Sequence, residues 1–171
     1  MGTRDEHFRA FFVHEGEGLR RLAIFLTGDA EVGADMAQET LARVYRHWGR
    51  IKGDDPGPYA RRILVNLVRS SHRRRFLERR FLERRFRDSQ PIPEGSVASQ
   101  SGRVDEFLRI SSALKGLSPV RRAAIVLRFY EDMSEADIAR TLERPVGTVK
   151  SDIHRGLAKL RPLLEDTRER I

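Results

Sequence analysis

The chain has 171 residues, a net charge of +8 and no cysteine, so it can hold one or two small domains, and disulfides and thiolate metal sites are excluded. The charge favours a polyanion as partner, either nucleic acid, the usual case, or an anionic membrane surface. No apolar run approaches the ~20 residues that cross a bilayer, and the N-terminus lacks the pattern of a secretion signal, so we expect a cytoplasmic protein. The histidines show no metal-ligand spacing, and no metal or other cofactor is expected.

Helical periodicity dominates the chain. No alternating run is long enough to predict a strand, so the expected fold is all-α. The spacing predicts a first helix over Arg4 to Leu26, with Phe12 among its buried residues. Gly28 then supplies a left-handed stop. Asp29 follows as the cap of a second helix.

The second helix carries an apolar stripe that includes Tyr45 and ends at Trp48, which we interpret as a core anchor. A loop rich in turn residues follows over Ile51 to Pro58. Helical spacing resumes from Tyr59 to Ser71.

A tandem repeat occupies Arg74 to Phe86, in which RRFLE occurs twice and RRF begins a third copy. Five residues advance a helix by about 140°, so the three phenylalanines cannot share one face. The repeat predicts a helical extension into a basic linker, and direct binding to a phosphate backbone is the alternative. The segment Gln90 to Gly102, with its prolines, glycines and serines, predicts a flexible linker between two domains.

The C-terminal part begins with a helix predicted from Val104 to Leu114 and stopped by Gly116. Ser118 and Pro119 are a cap and a first-turn residue that open another helix running to Tyr130. Several apolar residues of that helix, with Tyr130 among them, are expected to pack on the segment that follows.

That segment, Ser134 to Leu160, has the apolar spacing, break and restart of a helix-turn-helix. Ser134 caps its first helix, and Pro145 prevents simple continuation and opens the second. The buried stripe of the second helix is predicted to be Val149, Ile153, Leu157 and Leu160. The residues turned outward, toward a major groove, are Thr148, Lys150, Ser151, His154 and Arg155. The alternative is a short helical hairpin with a solvated basic face.

Three stretches resemble the extracytoplasmic-function (group 4) RNA polymerase sigma factors, and in particular their actinobacterial SigE-like subfamily. The stretch LRFYEDMSEADIARTLERPVGTVKSDIHRGLAKLR is similar to sigma region 4, with PVGTVKS its most specific part. DMAQETLARVYRHW and PYARRILVNLVRSSHRRR are similar to sigma region 2. The resemblance implies region 2 over residues 1–75, an Arg-rich helix extension and flexible linker over 76–103, and region 4 over 104–171.

The resemblance implies that the chain recognises promoters and catalyses no reaction itself. The implied partners are core RNA polymerase, through its beta-prime clamp helices and beta flap, promoter DNA, and an anti-sigma factor, but no membrane and no small-molecule substrate. The residues matching the polymerase-docking positions are Asp35, Gln38, Glu39 and Arg43. Those matching positions at the minus-10 element are Lys52, Asp54, Asp55, Tyr59, Arg62, Asn66 and Arg69, with Asn66 facing a flipped base. The five outward residues of the helix-turn-helix match positions at the minus-35 element.

The chain departs from the family pattern at three places. Glu143 and Arg144 occupy a turn where the pattern often has a glycine, so we expect mild strain there. Asp152 replaces a commonly basic residue, and a carboxylate beside phosphates predicts weakened or altered minus-35 preference, which Asp152→Arg should reverse. Pro162 is expected to kink or fray the end of the last helix.

Two other functions remain open from the sequence. One is a helix-turn-helix regulator that binds DNA without joining polymerase, although regulators of that kind would carry a βα receiver and none is evident. The other is a non-specific basic protein that binds nucleic acid or membrane surfaces mainly through the arginine repeat. No nucleophile and base grouping, phosphate loop or metal set indicates an enzyme.

Overall fold

The computed structural model describes residues 3–51, 55–85 and 102–165, and the side chains over 3–51, 55–74 and 106–162. The described part is all-α, as predicted from the periodicity. Its helices are α1 (Arg4–Thr27), α2 (Ala30–His47), α3 (Gly57–Arg85), α4 (Gly102–Lys115), α5 (Pro119–Phe129), α6 (Glu135–Leu142) and α7 (Val146–Glu165), with a 3-10 turn at Trp48–Arg50.

The first three helices form an N-terminal unit in which α1 and α2 are antiparallel neighbours. The chain reverses at Gly28, whose φ of 72° is left-handed, and its amide donates to the Ile24 carbonyl at 2.7 Å. The Asp29 side chain accepts a 2.9 Å hydrogen bond from the Val32 amide. The predicted stop and the predicted cap are therefore both confirmed.

The core of this unit is built from fully buried aliphatic residues such as Leu22, Val44 and Leu64. Trp48 packs against it, with its ring 5.2 Å from those of Phe8 and Phe11, which confirms its role as an anchor.

Two aromatic residues predicted inside this unit are not buried. Phe12 is 50% exposed and Tyr45 is 39% exposed. Helical spacing overestimated the buried arc, because Phe12 on α1 and Tyr45 on α2 lie outside the faces that the neighbouring helices cover. Tyr45 instead rests its ring on Phe8, and its hydroxyl donates to the carboxylate of Asp5 at 2.8 Å.

The helix α3 is continuous over 29 residues, or about 43 Å. It joins the helix predicted over 59–71 to the first two copies of the arginine repeat, so the repeat extends that helix as predicted. The predicted linker lies outside the described residues, except for Gly102, where α4 begins.

The last four helices form a C-terminal unit that contains the predicted helix-turn-helix in α6 and α7. Ser134 caps α6 by accepting from the Asp137 amide at 3.1 Å, as predicted. Ser118 precedes α5 as expected, although its side chain makes no capping bond. Glu143 ends α6 with a φ of 52°, which confirms the left-handed turn that glycine usually adopts.

Two predictions for α7 are wrong. Leu157 is 39% exposed, because the buried face is centred on Val149, Ile153 and Leu160 and Leu157 lies at its margin. The helix also continues through Pro162 as far as Glu165, so it does not fray at that residue. A proline removes one hydrogen bond from a helix but does not end it when the rest of the turn is held.

Candidate polymerase and DNA interfaces

The residues predicted to dock on polymerase share one face of α2. Positions 35, 38, 39 and 43 fall within an arc of about 140°. The buried residues lie on the opposite side: Gly33, Ala37, Thr40 and Val44. Arg43 Nε donates to Glu39 Oε1 at 2.7 Å, and this bond holds the pKa of Glu39 below its ordinary value. Two carboxylates, one amide and one guanidinium are thus presented together on this face.

The minus-10 residues on α3 form a single stripe. Tyr59, Arg62, Asn66 and Arg69 are spaced three, four and three residues apart and lie within about 80° of one another. Arg62 and Asn66 are exposed, whereas Tyr59 and Arg69 are half-buried. The other side of the helix is anchored in the core by Ala60, Leu64 and Val68. The polar stripe is therefore held on a rigid element.

The loop before α3 is only partly described. Lys52 and Asp54 lie outside the described residues, so their predicted role in the loop stays a prediction. Asp55 is exposed, and its Oδ1 accepts a 2.8 Å hydrogen bond from the Gly57 amide. An Asp side chain that bonds the backbone two residues on is a local turn device, and here it fixes the start of α3.

The residues predicted for minus-35 recognition are all exposed on α7: Thr148, Lys150, Ser151, His154 and Arg155. They occupy an arc of about 160°, and the buried residues of the helix occupy the other side. Lys150 reaches back to α6, where its Nζ lies 3.5 Å from Glu135 Oε2. An exposed, polar N-terminal half is what a recognition helix needs.

The expectation that Asp152 lies beside the phosphates is wrong, and its effect on minus-35 preference stays a prediction. Its side chain is on the buried face of α7, and the residue is only 8% exposed. Its Oδ2 accepts from Arg144 Nη1 at 2.7 Å, and its Oδ1 accepts from Arg121 Nε at 3.4 Å. The carboxylate is neutralised within the domain, so it does not repel phosphates as a surface charge would. The spacing is consistent with this, because position 152 lies about 40° from Gly156 around the helix, at the edge of the buried side.

The two units are in direct contact through an aromatic cluster. Phe25 of α1 packs on Phe107 of α4 at a centroid distance of 4.7 Å and on Tyr130 at 5.0 Å. Tyr130, which was expected to pack on the helix-turn-helix, thus also contacts the C-terminal end of α1. Arg122 of α5 also reaches α1, where its Nη1 donates to the Thr27 carbonyl at 2.5 Å. The guanidinium thereby satisfies a carbonyl at the negative end of α1.

An ion-pair network crosses the same boundary. Arg61 Nη2 of α3 lies 2.9 Å from Glu15 Oε2 of α1. Arg61 Nε lies 2.5 Å from Oε2 of Glu131, which follows α5. Burial raises the pKa of Glu131, and the neighbouring Arg61 partly opposes that rise. Arg61 is only partly exposed, because these two carboxylates cover part of its side chain.

The minus-10 stripe meets the turn of the helix-turn-helix. Arg69 Nη1 donates to the Thr141 carbonyl at 3.1 Å, and its Nη2 donates to Glu143 at 3.2 Å. A cavity of about 610 Å³ lies between Asn66 and this turn. A second cavity, of about 1220 Å³, separates Tyr59 and Arg62 from the C-terminal unit. In this arrangement the predicted minus-10 face adjoins the boundary between the two units.

Sequence reasoning missed the contacts between the units, which depend on Phe25, Arg61, Arg122 and Glu131. Their partners lie far away in sequence, and no local spacing identifies such pairs. A weak signal existed at Arg122, because it falls among the apolar residues of α5 where a charge is unusual.

Neither a metal site nor a membrane span is found in the part of the chain that the structure describes. No three His, Asp or Glu side chains in that part are grouped so as to hold a metal ion. None of its helices is both long and apolar enough to cross a membrane.

Comparison with known proteins identifies both units. Residues 11–76 match the family described as Sigma-70 region 2, and residues 107–160 match Sigma-70, region 4. The RNA polymerase sigma-E factor of Streptomyces avermitilis is 33% identical over 150 residues, covering 87% of this chain and 80% of that protein. The ECF RNA polymerase sigma factor SigL of Mycobacterium tuberculosis is 32% identical over 165 residues, covering 92% and 89%.

Solved structures agree with this. The sigma factor RpoE from Bartonella quintana, solved in complex with the anti-sigma factor NepR, superimposes with a TM-score of 0.69 at 25% identity, covering 94% of this chain and 98% of that one. CnrH, solved with the cytosolic domain of CnrY, has the same fold, with a TM-score of 0.62 at 22% identity, covering 95% and 90%. The chain therefore belongs to the extracytoplasmic-function RNA polymerase sigma factors, proteins that direct polymerase to promoters.

Proposed function

We propose that this sigma factor docks on core polymerase through Asp35, Gln38, Glu39 and Arg43 of α2. In the same proposal the α3 stripe, together with the loop over residues 52–55, binds the minus-10 element, and the exposed N-terminal half of α7 binds the minus-35 element. Region 2 then corresponds to residues 1–75, the helix extension and linker to 76–103, and region 4 to 104–171. The chain contributes binding and no catalysis, and it acts in the cytoplasm, where polymerase and promoter DNA are found.

The observation that carries this proposal is the separation of polar and apolar residues on three helices. On α2, α3 and α7 the predicted contact residues share an exposed or half-buried arc, and the core residues fill the opposite arc. A polar stripe on a helix anchored in a core holds its side chains in fixed register, which base recognition requires. Asn66 lies exposed in the middle of the α3 stripe, where its amide can donate and accept at the same time.

Promoter binding in this proposal requires the two units to separate. The minus-10 and minus-35 elements are named for positions about 25 base pairs apart, or roughly 85 Å along the duplex. The helix α3, the longest in the described part of the chain, is about 43 Å long and spans only about half of that distance. Arg69 cannot contact the minus-10 element while its guanidinium binds Thr141 and Glu143. The structure therefore corresponds to a closed form, and the promoter-bound form is an open one.

We also propose that an anti-sigma protein regulates the chain, as the family resemblance implies. The support comes from RpoE and CnrH, which were solved with an anti-sigma factor and with a cytosolic partner domain, respectively. The α2 face is a suitable target, because a partner that covers it would block polymerase directly.

Reconstitution with core polymerase tests the proposal. A promoter fragment selected from genomic DNA by the reconstituted holoenzyme should give a run-off transcript of defined length only when both the chain and core polymerase are present. The variant Asp35→Lys should abolish the transcript, and Glu106→Lys, which makes the same charge change at an exposed position on α4, serves as its matched control. A chain that footprints the promoter equally well without core polymerase, and yields no transcript with it, is instead a regulator.

A further inference from the structure

We propose that Asp152 is a positioning residue for minus-35 recognition. In this inference its carboxylate, Arg144 and Arg121 form a triad that fixes the orientation of the recognition helix α7. The inference rests on the proposed minus-35 face. It assigns a function to a residue that contacts no DNA in that proposal.

The triad connects three elements that together set the pose of α7. Arg144 lies in the turn between α6 and α7, Asp152 lies in the second turn of α7, and Arg121 lies in the first turn of α5. The carboxylate accepts from both guanidinium groups, one on each oxygen. Charge-assisted bonds to a planar guanidinium restrict direction as well as distance, so they fix the angle between these elements.

In the closed form the turn is held from α3 by Arg69, which bonds the Thr141 carbonyl and Glu143, but that contact is lost in the open form that binds the promoter. Glu143 is left-handed, with a φ of 52°, which a residue with a Cβ adopts only under constraint. The backbone bond from the Arg144 amide to the Ala139 carbonyl, at 2.9 Å, closes the end of α6. Beyond it, the Arg144 side chain is tied to α7 through Asp152, eight residues further on. The triad therefore determines where α7 begins relative to α6.

The helices α7 and α5 also pack closely one helical turn after Asp152. A Cβ added at Gly156 would lie 2.4 Å from Ile125 Cδ1, so the two helices approach closely there. Asp152 is one helical turn before Gly156 on the same face and holds the next point of contact, through Arg121. Rotation of α7 about its axis would move Lys150, Ser151 and Arg155 away from the groove that they face, and the two arginines oppose that rotation.

The test uses holoenzyme reconstituted with Asp152→Asn, which keeps the shape of the side chain and removes its charge. The readout is the ratio of promoter affinities between a fragment selected by the wild-type holoenzyme and the same fragment with its minus-35 element scrambled. We expect this ratio to fall by about tenfold, with affinity for the scrambled fragment unchanged. Asp152→Glu should recover part of the ratio, because it keeps the charge.

Loss of stability alone must be distinguished from loss of position. Ile138→Val removes one buried methylene from α6 without touching the triad, and it should leave the ratio unchanged although it lowers the melting temperature. The double variant Arg144→Met with Asp152→Asn should discriminate no worse than the poorer single variant, because both act through one contact. Strictly additive losses overturn the inference.

Failure of the inference can be told from failure of the proposed interface. If Ser151→Ala and Arg155→Ala lower the ratio and Asp152→Asn does not, the positioning role is refuted and the minus-35 face stands. If none of the three changes the ratio, the proposed minus-35 face is refuted, and the positioning role with it.

Discussion

Substituting Phe25→Ala should shift the protein from the closed to the open form. Phe25 is 6% exposed, and its ring packs on Phe107 and Tyr130 of the other unit. Each aromatic pair contributes about 0.5–1.5 kcal/mol beyond the burial of its area. Loss of both pairs costs the closed form about 1–3 kcal/mol, which raises the ratio of open to closed molecules about 5- to 150-fold.

Förster transfer between two dyes measures this shift. The chain has no cysteine, so Ala10→Cys and Ala158→Cys, both at exposed positions on α1 and α7, provide specific attachment sites. Transfer efficiency should fall in the Phe25→Ala background. Small-angle scattering should show the radius of gyration rising from about 15 Å, the value for a compact chain of this length, to above ~20 Å.

The matched control is Phe12→Ala, which removes the same side chain from the same helix at a position that is 50% exposed. It should leave both measurements at their wild-type values. Equal effects of the two variants, or no effect of Phe25→Ala while its circular dichroism shows a folded chain, would refute the role of the aromatic cluster in closure.

Four further predictions follow from the proposed interfaces. Asn66→Ala should lower open-complex formation about 5- to 150-fold, as loss of one base contact of about 1–3 kcal/mol implies, whereas Ser70→Ala on the next turn should not; permanganate reactivity of the melted strand measures this, and equal reactivity in both variants contradicts it. Asp35→Lys should weaken the affinity for core polymerase by at least about tenfold in a fluorescence titration, and an unchanged affinity would remove this residue from the interface. Lys150→Ala should reduce the slope of log affinity against log salt by about 1, while Lys159→Ala leaves it unchanged if the N-terminal half of α7 makes the phosphate contact. Glu143→Gly should raise the melting temperature of region 4, measured by calorimetry, because it relieves about 1 kcal/mol of left-handed strain. Glu135→Gly, in the first turn of α6, should lower that temperature. A lower melting temperature for Glu143→Gly as well would show that the side chain of Glu143 stabilises the turn more than its backbone strains it.

Helical spacing predicted the local structure around Arg144 and Asp152 better than comparison with the family pattern did. The helix-turn-helix, its cap at Ser134 and the turn near Pro145 follow from residues within a few positions of one another, and all of them are found where the pattern put them. The same periodicity places position 152 on the buried side of α7. Comparison with the family's usual basic residue pointed the other way, and it was wrong because the carboxylate has partners inside the domain.

Local chemistry along the chain was therefore sufficient for the helices, most of their ends and the polar faces of α2, α3 and α7. Helix formation, capping and amphipathic faces depend on neighbours within about four residues, and the sequence contains those neighbours in order. The contact of Phe25 with Tyr130, and that of Arg69 with Thr141, join residues that are more than 70 positions apart in the chain. Only the tertiary structure decides such contacts, because they depend on how two folded surfaces fit together and no local period encodes that fit.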